Sequence, residues 1–95
     1  MTTVASEAGS EARSIAAAVR AAPTVARLSG GPFGGAGTYL PGHRVTGVEI
    51  GAETVEVHVV GRYGHTVGEI ADEVRDAVSQ ISGGRRVDVV IEDLA

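Results

Sequence analysis

Between Val55 and Ala77 the apolar pattern changes period, from two to about 3.6, across Arg62-Tyr63-Gly64-His65. Val55, Val57 and Val59 alternate, whereas Val67, Ile70, Ala71, Val74, Ala77, Val78 and Ile81 follow helical spacing. A strand therefore hands over to an amphipathic helix through a sharp turn that uses Gly64. Thr66 and Glu69 form a Thr-x-x-Glu capping box, the cap itself contributing about 1 kcal/mol, and Gly83 offers a left-handed stop. Alternation resumes over Arg86–Asp93, with Val87, Val89 and Ile91 on one side and Asp88, Val90 and Glu92 on the other. Strands that are strongly apolar on one face only call for helices on that face and not on both.

The upstream residues supply the remaining layers. Ser10 reads as the N-cap of a helix to Ala22, whose stripe is Ala12, Ile15, Ala16, Val19 and Ala22, and Pro23 stops it. Thr24–Leu28 reads as a short strand. Arg44–Ile50 and Glu53–Val60 read as a hairpin about a Gly51-Ala52 turn with glycine first. That register sets Val48 opposite Val55 and Thr46 opposite Val57, and a slip of one residue would bury Glu56 and His58. The expected fold is α+β: a two-layer sandwich in the order α-β-β-β-α-β, with a four-stranded mixed sheet and two helices on one face. Residues 1–9 read as a flexible N-terminus and 10–95 as a single domain.

Composition narrows the function classes. With 95 residues, the chain has room for one modest core. Its aromatic residues are Phe33, Tyr39 and Tyr63, so stacking platforms for bases are scarce. The absence of cysteine excludes disulfides, thiolate metal sites and cysteine nucleophiles. The formal charge is −4 and the basic residues, all arginine, are dispersed; nucleic acid is not an expected partner. The N-terminal residues lack the pattern of a signal peptide, and no apolar run approaches the ~18–20 residues of a bilayer span. A cytoplasmic location fits, with no direct membrane insertion.

Each candidate site has an ordinary reading beside the sharper one. His43, His58 and His65 fall in a loop, mid-strand and at a helix start, without helical metal-site spacing; they read as surface or sheet-face residues, and no metal is expected. Gly31-Pro32-Phe33-Gly34 formally matches the Gly-x-x-Gly of KH domains but lacks their basic residues and following helix. The stretch Ser29–Gly42 reads as a glycine-rich connection, with five glycines between 30 and 37. An anion at the Arg62–Thr66 helix start would compete with the capping box for the same donors. Glu69, Asp72, Glu73 and Asp76 give the second helix an acidic outer face, solvated or turned to a basic partner. No catalytic or cofactor-binding constellation is found, and an enzyme is not expected. The sheet face away from the helices is the candidate protein interface, with Val45, His58, Val60, Arg62 and Val90 as its residues, and homo-oligomerisation its expected use.

Several motifs stand together in order: Val55-x-Val57-x-Val59, Arg62-Tyr63-Gly64, Ile70-Ala71-x-x-Val74-Arg75-x-x-Val78 and Val87-x-Val89-x-Ile91-x-Asp93. In these, and in Pro23 followed by Val25, the chain resembles the alkaline shock protein family of Gram-positive bacteria, the small envelope-stress domains, over roughly residues 12 to 94. Its all-arginine usage and Thr38-Tyr39-Leu40-Pro41-Gly42 are similar to the actinobacterial branch. The family's Pro-Gly-Val reads Pro23-Thr24-Val25 here, and the segment before the last strand is shortened to Ser82-Gly83-Gly84-Arg85. The resemblance implies a non-enzymatic cytoplasmic protein that self-associates and is held near the membrane by an integral-membrane partner, serving cell-envelope homeostasis. A small RNA-binding module of KH-like architecture is the alternative.

Overall fold

Every strand of the main sheet pairs with β5 (Thr54–Gly61). The computed structural model describes residues 4–31, 35–40 and 43–95. It is an α+β structure with helices α1 (Val4–Arg20) and α2 (Val67–Ser79). The remaining strands are β1 (Val25–Leu28), β2 (Gly37–Leu40), β3 (His43–Thr46), β4 (Val48–Ile50) and β6 (Arg86–Leu94). β6 runs parallel to β5 along its whole length, while β4 and β1 pair antiparallel with successive halves of it. β2 and β3 form a separate two-stranded sheet.

The alternation of β5 decides where the core lies. Val55, Val57 and Val59 are fully buried in one cluster with Ile15 and Val19 of α1 and Ile70, Val74 and Val78 of α2. The capping box forms as the sequence requires: the Thr66 hydroxyl accepts from the Glu69 N–H, and the Glu69 carboxylate accepts from the Thr66 N–H, both at 3.1 Å. After Ser79 the chain continues through a turn to the left-handed Gly83 and Gly84. The strand-to-helix-to-strand unit is thus as the sequence implies. Val67 is the exception on the helical stripe, being 59% exposed.

Three features depart from the sequence reading. Helix α1 begins at Val4, ahead of Ser10. The expected strand Arg44–Ile50 is broken at Gly47, whose φ of +82° turns β3 away from β5 to pair with β2. With β2 as a further strand, the element order becomes α-β-β-β-β-β-α-β. Finally, the β4–β5 register is Val48↔Val57, Glu49↔Glu56 and Ile50↔Val55, displaced by two residues from expectation. The reversal falls on Ala52-Glu53, closed by the Gly51 N–H donating to the Thr54 carbonyl at 2.8 Å. A displacement of two preserves the face assignment, so the apolar face is unchanged although each pair is new.

Among the described residues, no helix is long and apolar enough to cross a membrane.

Candidate functional site

His58 lies where the neighbour of β5 changes from β4 to β1. Its backbone is fixed on both sides: its N–H donates to the Gly47 carbonyl, and its carbonyl accepts from the Ser29 N–H, each at 2.8 Å. The even positions of β5 turn away from the core, so Glu56 and His58 emerge together on the opposite face. The register places Glu49 directly across from Glu56. Glu92 arrives by a different route. β6 takes an extra residue where Ile91 pairs with Val59 and Asp93 with Val60, leaving Glu92 unpaired in the ladder. Such a bulge re-aims a side chain.

The geometry around the imidazole is specific. His58 Nδ1 is 2.7 Å from Glu92 Oε1, and since a carboxylate only accepts, Nδ1 carries the proton of that bond. His58 Nε2 lies 3.5 Å from Glu56 Oε2, is shielded from solvent, and has no hydrogen-bond partner. Burial alone would lower the His58 pKa, but the hydrogen bond to Glu92 and the Glu56 carboxylate beside Nε2 outweigh it and raise the pKa above 6.5. Glu49 is oriented by the Gly37 N–H, which donates to its Oε1 at 3.4 Å. Ligand atoms of Glu49, Glu56 and His58 all lie within 4.8 Å of one another.

The glycine-rich connection forms the wall of this site. Gly30, Gly31, Gly35 and Ala36 line a cavity of about 200 Å³ with Glu49, Glu56 and His58. The connection is held by the Ala36 N–H donating to the Gly30 carbonyl at 2.8 Å, and by the Gly47 N–H donating to the Ala36 carbonyl at 3.0 Å. The cavity is smaller than the ~300–1,000 Å³ of typical small-molecule pockets, yet larger than the ~30 Å³ that one water occupies in the liquid. The Gly-x-x-Gly comparison falls partly on residues 32–34, outside the described residues.

The expected interface residues are not one exposed surface. Val45 is 8% exposed and belongs to the core cluster, because the bend at Gly47 redirects β3. Val60 is 3% exposed, at the position where both β1 and β6 shift register against β5. Val90 and His58 are half-buried and Arg62 is exposed. The face therefore centres on a polar cluster instead of an apolar patch. Alternation sets Glu49, Glu56, His58 and Glu92 on one face of the sheet; what it does not give is the register that pairs Glu49 with Glu56 or the contact of Glu92 with His58.

Two other carboxylates bear structural loads. Glu73 Oε1 accepts from both the N–H and the hydroxyl of Thr24 at 2.8 Å, joining α2 to the start of β1. Glu11 pairs with Arg85, whose guanidinium also reaches the Ser82 carbonyl at 2.8 Å and the Gly51 carbonyl at 3.3 Å. The acidic outer face of α2 is thus interrupted by a tertiary contact at Glu73.

β6 offers a second candidate surface, its unpaired edge. Arg86 donates its N–H to the Glu53 carbonyl at 3.0 Å. Because backbone groups alternate sides along a strand, Asp88 and Val90 also address β5, while Val87 and Val89 present theirs to the opposite side. Among the described residues no strand pairs with that side.

Comparison with protein-family models, with curated proteins and with solved structures returned no match.

Proposed function

We propose that this chain is a non-enzymatic binding domain of the alkaline shock protein type, serving cell-envelope homeostasis by associating with itself and with a membrane-anchored protein. The observation that carries the reading is the open edge of β6. A nine-residue strand paired on one side only is a template for a further strand. A second copy is the occupant proposed for it. The two-layer arrangement, with both helices on the Val55-Val57-Val59 face, belongs to the same reading; on that edge the Arg75 guanidinium of α2 donates to the Val87 carbonyl at 3.4 Å, a contact that a docking strand would replace. The ordered motifs from Val55 to Asp93 support the family resemblance, and the cytoplasmic face of the membrane is the location it implies.

Sedimentation equilibrium of the full chain tests the reading. Val89→Pro deletes an N–H on the open side while sparing those of Arg86, Asp88 and Val90 that address β5. A concentration-dependent oligomer in wild type that reverts to monomer in a folded Val89→Pro variant is the expected result. A wild-type monomer at high micromolar concentration would overturn it. Sedimentation with membranes that retain their integral proteins, and not with protein-free lipid vesicles, is expected for the anchoring partner. Micromolar RNA binding that weakens steeply with salt would favour the KH-like alternative.

A further inference from the structure

We infer that Glu49, Glu56 and His58 form a binding site for a divalent first-row transition cation of the Zn²⁺ or Mn²⁺ class, with Glu92 positioning the imidazole. The inference is independent of self-association, because its ligands lie on the outward face of β4 and β5 and not on the backbone edge of β6.

Glu49 and Glu56 are register partners on adjacent strands, an arrangement in which like charges repel. Nothing in the hairpin requires two carboxylates there. Beside them, lining the same cavity, is an imidazole whose proton is committed at Nδ1 to Glu92. In the neutral ring the Nε2 lone pair therefore faces the Glu56 carboxylate at 3.5 Å. A shielded nitrogen lone pair facing a partly exposed carboxylate calls for a cation, and two candidates exist: a proton on Nε2 or a metal ion.

Distance separates the candidates. An N–H···O⁻ bond of good strength spans about 2.7–2.9 Å, shorter than the observed gap. Two ligands of one tetrahedral metal, each at about 2.0–2.1 Å, lie roughly 3.4 Å apart, close to the observed separation. The Glu92–imidazole pair also has the form of the carboxylate–histidine–metal arrangement, in which an outer carboxylate fixes the tautomer and raises ligand basicity. The cavity beyond leaves space for water to complete the coordination shell.

The ligand set narrows the ion. Imidazole with carboxylates suits Zn²⁺, Mn²⁺, Fe²⁺ or Co²⁺, whereas Mg²⁺ and Ca²⁺ favour oxygen ligands throughout. Several anionic groups around one imidazole favour a dication over a monovalent ion.

Isothermal titration of metal-free full-length protein with ZnCl₂, and absorption spectroscopy with CoCl₂, test the assignment. One equivalent of Zn²⁺ is expected to bind, undisplaced by excess MgCl₂, and Co²⁺ is expected to give ligand-field bands from the bound ion. His58→Gln and the double variant Glu49→Gln/Glu56→Gln are expected to weaken binding at least about 100-fold, and Glu92→Gln about 10–100-fold. His43→Ala and His65→Ala serve as controls and are expected to bind as wild type. The glutamine variants remove like-charge repulsion, and circular dichroism is expected to show them folded. Absence of binding, or unchanged binding in the folded Glu49→Gln/Glu56→Gln variant, would overturn the site and leave a proton as the occupant of Nε2.

Discussion

Gly47 turns one expected strand into two, and no other residue type fits its position. Its φ of +82° lies in the left-handed region, and an added Cβ would stand 2.9 Å from both the His58 and Ser29 carbonyl oxygens. Backbone on two sides cannot yield as a flexible side chain can. Gly47→Ala is therefore expected to destabilise the domain by about 2–4 kcal/mol in chemical denaturation. Glu73 provides a residue-scale test of pH. Hydrogen bonds from the Thr24 backbone and hydroxyl, with charge from His65, lower its pKa from 4.5. A carboxylate whose folded pKa is depressed contributes stability above its unfolded pKa and loses it as pH falls through the folded value. Wild type is accordingly expected to exceed Glu73→Gln in stability at pH 7, and the gap is expected to close below about pH 4.5 in parallel denaturant titrations. A gap independent of pH would show that the contact does not depend on the charge.

At the scale of elements, α2 is the most legible part because its information is local. The stripe Ile70-Val74-Val78 and the Thr66–Glu69 box specify its face and its start within one short segment. Thr66→Ala is expected to cost about 1 kcal/mol, read as a lower melting temperature and as the same loss of protection in the β5 and β6 amides that exchange through global unfolding. The hairpin was legible in face but not in register, since sliding by two residues leaves the same valines pointing inward. The expected register sets Glu49 opposite Thr54; the observed one sets it opposite Glu56. That difference separates an unremarkable sheet face from a charged cluster. Alternation along β6 sets Glu92 on the outward side with Asp88 and Val90, but the bulge opposite Val59 and Val60 has no periodic signature, so its contact with His58 was not legible. Val45 and Val60 were misplaced for the same reason: alternation was extended through Gly47 and through a register shift, where alternation fails.

At the scale of the whole molecule, a single cluster draws on both helices and on β1, β3, β4, β5 and β6. Its members come from sequence positions as far apart as Ala12 and Val87, so local segments cannot complete it alone. A domain of this length has a stability of about 5–14 kcal/mol. Ile15→Ala in α1 is expected to cost about 2–5 kcal/mol by transfer and cavity effects. Val78→Ala in α2 removes fewer methyl groups and is expected to cost about 2–3 kcal/mol. If the helices and sheet share one cooperative core, each substitution must weaken elements it does not touch. Far-UV circular dichroism and hydrogen exchange of β6 amides are therefore expected to report the same midpoint shift for both variants, with unchanged denaturant slope. A helical signal lost ahead of β6 protection would contradict a shared core. It would make α1 or α2 a separately unfolding layer over a sheet that persists without it.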